Sequence, residues 1–230
     1  MKLTDIKIGK RLGLGFGVIL LMVIGVGVTG YWGINTISDA EINMLKGDAT
    51  VSEHASRARA NVLGLRRFEK DIYINIGSKE KVAEYVQKWK EQYEHLTARL
   101  NDAEKAATLQ QDKEKIQTMK TELANYESGF MKVLGSLQAG KIKTTQAANA
   151  AITEYKDQIH KLENAAKDLA DETSKRMDAQ EGLVKSRTKF TNMVMISLSL
   201  AAIALCLFIV AVMTRSIVVP VNAINEVAGS

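Results

Sequence analysis

Residues 79–107 read KEKVAEYVQKWKEQYEHLTARLNDAEKAA, and the apolar positions of this stretch decide the fold. Val82, Val86, Trp89, Tyr93, Leu96, Leu100, Ala103 and Ala107 recur in strictly alternating steps of four and three. A mean step of about 3.5 keeps all of them on one stripe of a helix, with charged residues filling the other faces. Such a stripe is buried only if partner helices cover it.

Three neighbouring segments carry the same pattern. Upstream lie Val51, Ala55, Ala58, Val62, Leu65, Ile72 and Ile76, with Glu69 interrupting the stripe. Downstream lie Leu109, Ile116, Met119, Leu123, Tyr126, Phe130, Val133 and Leu137, with Asp112 as the exception. A fourth run has Ile152, Tyr155, Ile159, Leu162, Ala166 and Leu169, after which the seam turns polar at Thr173, Arg176 and Gln180. Breaks fall at Ile76-Gly77-Ser78, near Thr108, and at Ala139-Gly140-Lys141. Ser78 is expected to cap the second helix, Thr108 with Gln111 to form a capping box for the third, and Thr144 to cap the fourth. Short connections between helices make neighbours antiparallel, so the spacing predicts an all-α, up-down-up-down four-helix bundle. The inner helices (79–107 and 109–139) are expected to be the shorter pair, with the outer two extending beyond them as stalks.

Composition agrees. The 230 residues include one Pro and one Cys, Cys206, which excludes an internal disulfide and any Cys-based zinc or haem site. Residues 12–34 and 190–213 carry no charge. At about 1.5 Å per residue each spans a hydrocarbon core of about 30 Å. A cleaved signal peptide fits the first block poorly, because it is too long and lacks an Ala-x-Ala-like site. The expected division is a tail (1–11), a first transmembrane helix (12–34), a bundle domain (35–189), a second transmembrane helix (190–213) and a C-terminal segment (214–230).

Lys2, Lys7, Lys10 and Arg11 precede the first span, Tyr31 and Trp32 end it, and Arg215 follows the second. These flanks place both tails in the cytoplasm and the bundle outside. Lys185, Arg187 and Lys189 oppose this locally, but long translocated domains largely escape the charge rule. The net charge is +5, yet without the tails 26 basic residues face 24 acidic ones, so the basic balance is no sign of nucleic-acid binding.

This plan resembles the bacterial methyl-accepting chemotaxis receptors that carry a four-helix-bundle sensor domain. The run Arg66-Arg67-Phe68-Glu69-Lys70-Asp71 is similar to an R-R-x-E-K-D run at the end of the first helix in many of them. Arg215-Ser216-Ile217-Val218-Val219-Pro220 and the residues to Ile224 look like the start of a HAMP linker, with Pro220 at its first helical turn. The chain then reads as stopping ten residues into that linker, so output through a cytoplasmic kinase and adaptor would need a part not present here. The resemblance implies a homodimer in the bacterial inner membrane. It would detect an extracytoplasmic small molecule, directly or through a periplasmic binding protein, and signal inward by displacing the second span. In the aspartate-sensing members, first-helix arginines and a fourth-helix threonine grip the ligand. Arg59, Arg66 and Thr153 are the nearest counterparts here, at different spacings.

The residues themselves nominate sites. Down-up-down-up wiring brings Arg66, Trp89, Gly129 and Tyr155 to one level, with Glu69, Tyr93, Tyr126 and Phe130 within about a turn. That layer reads either as a lined pocket for a small polar ligand or as an aromatic core in which Glu69 pairs with Arg66 or another arginine. Arg59 and Arg66 share a stripe, and arginine forks suit a carboxylate or amino-acid ligand. Arg57, Arg67 and Lys70 read as solvated. Gly9, Gly13 and Gly17 repeat every four residues, the spacing at which lipid-embedded helices approach closely, and are candidates for a dimer contact. His54, His95 and His160 lie on separate helices without metal-ligand spacing, and no cofactor is implied. Nothing resembles a nucleophile–base pair, a phosphate loop or paired catalytic carboxylates, which argues against an enzyme. Competing readings are the input module of a sensor histidine kinase or cyclase, and a non-sensing membrane adaptor.

Overall fold

The computed structural model describes residues 8–215 and 219. Among them the elements are all helical: α1 (Ile8–Asn43), a π-helical turn (Met44–Ala49), α2 (Thr50–Ile74), α3 (Lys79–Ala106), α4 (Gln110–Gln138), α5 (Thr145–Ile152), a 3-10 turn (Thr153–Tyr155) and α6 (Lys156–Met213). The chain divides into two compact units, 41–181 and the combination of 1–40 with 182–230.

The first of these units is the bundle. Its core is the predicted seam: Val62, Leu65, Trp89, Leu96, Ile116, Met119, Phe130, Ile159, Leu162 and Leu169 are all essentially inaccessible. Each fully buried aliphatic side chain contributes about 1.5–3 kcal/mol, which is what holds four such stripes together. Cross-helix bonds fix the antiparallel order. Asn61 donates to Gln92 at 2.9 Å across α2 and α3, and Lys120 to Glu104 at 2.6 Å across α3 and α4. Ser52 and Ser174 share a 3.2 Å bond across α2 and α6.

Helix ends follow their caps. The Ser78 hydroxyl accepts from Lys81 N at 3.4 Å and the Thr144 hydroxyl from Ala147 N at 3.2 Å, as expected. Gly140, at φ +70°, ends α4. Its N–H donates to Leu137 O at 3.0 Å and Lys141 N to Ser136 O at 2.9 Å, the two bonds of a Schellman stop.

Two expectations are corrected. Thr108 does not cap α4; Leu109 holds that position, extended and without a side-chain bond. The Thr108 methyl instead faces Gly47, 3.6 Å from where a Cβ would stand. Glu69 and Asp112, read as interruptions of their stripes, are both buried, whereas Leu109 is exposed. The first and last bundle helices are also not uniformly α: the π-helical turn precedes α2, and the 3-10 turn separates α5 from α6.

The second unit contains the apolar parts of α1 and α6. Among the described residues two helices are long and apolar enough to cross a membrane, Leu12–Ile74 and Thr145–Met213 when short non-α turns are bridged. Their contacts run through small residues: a Cβ on Gly15 would touch Ile209 at 3.2 Å, and one on Gly30 would touch Met195 at 3.2 Å. At Gly33 a Cβ would stand 2.4 Å from Thr191 Cγ2, so this close approach needs glycine.

Candidate functional site

The aromatic layer predicted near the α2–α3 hairpin is present and closely packed. Trp89 stacks on Phe130 with centroids 4.0 Å apart and planes inclined by 15°. Tyr93 stacks on the same indole at 5.6 Å, and Tyr126 tilts against it at 6.3 Å. A separation of 4.0 Å is van der Waals contact, so nothing fits between Trp89 and Phe130 unless the rings part. On the far side the Tyr155 ring lies against the bare backbone of Gly129.

Glu69 sits within this layer at 3% exposure, but its partners are not the expected arginines. The Tyr126 hydroxyl donates to its Oε2 at 2.5 Å, and Lys70 Nζ to its Oε1 at 2.6 Å. Lys70, read as solvated, also donates to Asn149 Oδ1 at 2.6 Å and so links α2 to α5. The signal missed was adjacency: a buried carboxylate needs a cation, and the next residue supplies one by curling its long side chain inward. Burial, reinforced by the Glu69 charge and hydrogen bond, pushes the Tyr126 hydroxyl well above its ordinary pKa. Burial and the same carboxylate raise Tyr73. Burial followed by the Glu127 carboxylate raises Tyr93 to about 12. The Tyr73 hydroxyl and Trp89 Nε1 are buried without a hydrogen-bond partner among the described residues.

Arg59 and Arg66 come together on the α2 face that meets α6, with a carboxylate between them. Arg66 Nη1 donates to Glu163 Oε2 at 3.0 Å, and Arg59 Nε lies 3.9 Å from Glu163 Oε1. Thr153 does not join them in hydrogen bonding: its hydroxyl donates to Asn149 O at 2.7 Å and accepts from Lys156. Arg57 and Arg67 are exposed and paired along their own helix, with Glu53 at 2.8 Å and Asp71 at 3.8 Å.

The remaining candidates are dispersed. No atom outside the helix's own backbone lies within 4 Å of a Cβ built on Gly9, Gly13 or Gly17, while Gly15, Gly30 and Gly33 make the contacts to α6. Arg215 is exposed, and Pro220 lies outside the described residues. His54 is half-buried with its Nδ1 unpartnered, and His95 and His160 are exposed. Among the described residues no cluster of His, Cys, Asp and Glu could hold a metal ion.

Two further constellations escaped the sequence reading. Arg57, Asn61, His95 and Arg99 line a groove of about 300 Å³ between α2 and α3. Arg57 there is engaged by Glu53 and the Asn61 amide by Gln92. The second is an ion network at the opposite end of the bundle from the α2–α3 hairpin. Arg176 on α6 is held by Asp48 of the π-helical turn and by Asp112 in the first turn of α4. Burial alone would lower the Arg176 pKa, but its bonds to the two carboxylates outweigh that and raise it.

No curated protein and no solved structure matches the chain. A family model described as a four helix bundle sensory module for signal transduction matches residues 5–181, which takes in the bundle and the first apolar helix. A bundle with this order, flanked by two apolar helices and matched over most of its length, therefore belongs to that family of sensory modules.

Proposed function

We propose that the chain is the sensor and transmembrane part of a chemoreceptor, detecting an extracytoplasmic small molecule and reporting it inward by displacement of α6. The supporting observation is that α6 carries both the last stripe of the bundle core and the second apolar span within one helix, Lys156–Met213. Packed helices respond to a ligand by small shifts biased through differential affinity, and this helix shares residues with both parts.

In this reading, residues 12–34 and 190–213 cross the inner membrane, both tails are cytoplasmic and 35–189 lies outside. The open face of Gly9, Gly13 and Gly17 is free for a second copy of α1, which suits a homodimer. The ligand is a small carboxylate, taken at the Arg59–Arg66 face, where Glu163 already shows the group these arginines accept. A ligand must then displace Glu163. Such internal competition favours a molecule with two carboxylates, or a ligand brought by a binding protein.

Thermal-shift titration of the full chain in nanodiscs with succinate, malate, citrate and aspartate tests this. A ligand at about 100 times its Kd should add about 2.7 kcal/mol of stability. Arg66→Ala should abolish that gain while leaving the bundle helical. Stabilisation that persists in Arg66→Ala would remove the Arg59–Arg66 face as the site.

A further inference from the structure

Asp48, Asp112 and Arg176 come from three separate helical segments. The Arg176 guanidinium donates to Asp48 Oδ1 from Nε at 3.1 Å and from Nη2 at 2.9 Å. It reaches Asp112 through Nη1, 3.4 Å from Oδ1, and through Nη2 to Oδ2. Gln180, one turn along α6, donates to Asp48 Oδ2 at 3.2 Å. Asp112 is 1% exposed and Asp48 7%. One cation thus serves two buried carboxylates.

Stability does not account for such a network. Taking these charges out of water costs several kcal/mol per ion, and apolar replacements of similar volume are often neutral or stabilising. What a buried fork supplies is directionality. The apolar side chains beside it, Leu169 and Ala170, make non-directional contacts. The single bonds nearby, from Ser52 to Ala170 O and Ser174 and from Lys115 to Glu172, are only part-buried, so this part of the interface accommodates a small slide. The guanidinium does not: a shift of α6 by one residue's rise, about 1.5 Å, strains or breaks bonds to both aspartates and leaves two buried carboxylates short of a partner. The local backbone is also specialised. Asp48 sits in a π-helical turn, a rare conformation within helices that recurs at functional sites, and the preceding Gly47 is packed on Thr108.

We propose that Arg176, held by Asp48 and Asp112, is a register latch that fixes α6 at one axial position against the first and third bundle helices. An inward signal then has to break it. The latch turns a sliding interface into one with two discrete states, locked and released. This rests on α6 being the signalling helix, but the register itself is measurable without ligand or output.

Ser52 provides the ruler. Its hydroxyl lies between two successive turns of α6, 3.3 Å from Ala170 O and 3.2 Å from Ser174 Oγ. In the full chain carrying Cys206→Ser, in nanodiscs, Ser52→Cys is paired in turn with Ser174→Cys and with Ala170→Cys, and the two disulfide formation rates are compared. Their ratio reads the axial position of α6. The triple variant Asp48→Leu, Asp112→Leu, Arg176→Met is expected to melt at or above the parent temperature, yet to shift this ratio about tenfold. Arg176→Lys, which keeps the charge and loses the fork, is expected to fall between. A ratio unchanged within about twofold in a folded triple variant overturns the latch. Should the triple variant fail to fold, Asp112→Asn and Arg176→Gln carry the same measurement, and an unchanged ratio in both also overturns it. Lack of response to any carboxylate would count against the sensing reading and leave this ratio unaffected.

Discussion

The Tyr155 ring occupies the space that a side chain at position 129 would need: a Cβ on Gly129 would stand 2.1 Å from Tyr155 Cγ. The glycine is therefore a packing requirement in the middle of α4, where helix propensity alone would favour alanine by about 1 kcal/mol. Gly129→Ala is expected to lower stability by about 1–3 kcal/mol, because the ring must move. In a Tyr155→Ala background the same change should become neutral or stabilising. Thermal melts followed by circular dichroism at 222 nm read both.

The Glu69–Tyr126 bond is the second test. Tyr126→Phe removes one of two donors to a buried carboxylate and should cost about 1–3 kcal/mol. Glu69→Gln removes the charge that Lys70 and Tyr126 were serving. A double-mutant cycle in urea should show coupling above about 0.5 kcal/mol between the two positions, and additive losses would mean that the short bond carries no energy of its own.

Alkaline pH offers a test that needs no mutation. Tyr73, Tyr93 and Tyr126 all have their folded pKa raised from 10.0, chiefly by burial. Above about pH 10 the unfolded chain gives up these protons and the folded chain does not, so the unfolded state binds fewer protons and stability falls as pH rises. Their contribution is complete below about pH 10 and is lost on the way to the folded values. The expected result is a melting temperature that drops from about pH 10 upward, with the phenolate absorbance of these three tyrosines appearing at 295 nm together with the loss of helicity. Their ionisation at pH 10 with the helices intact would contradict the packing described here.

Much of this was legible in the sequence, and the misses at charged groups have a common cause. Period and capping are local properties: the seam from Val51 to Leu169 and the caps at Ser78 and Thr144 depend only on neighbours along the chain. Even the aromatic layer followed from counting inward from the helix ends. Burial of a charged group depends instead on what another helix supplies. Asp112 looked like an interruption because its partner Arg176 is 64 residues away, and Glu69 because its burial needs Tyr126, 57 residues away, as well as the adjacent Lys70. Arg59 and Arg66 were placed correctly on one face, but Glu163 between them is set by the pitch of α6 against α2. Thr108 misled because α4 starts one residue later than its capping pattern suggests, with Leu109 at the cap position.

In the proposed function the bundle lies outside a membrane that the chain crosses on both sides of it. The direct measurement is labelling of Lys141→Cys, at the exposed end of α4, by a membrane-impermeant maleimide in intact cells, with Cys206→Ser removing the native thiol. Labelling before permeabilisation, to the same extent as after it, is the predicted result. A thiol that reacts only once the membrane is opened would put the bundle in the cytoplasm and contradict the account.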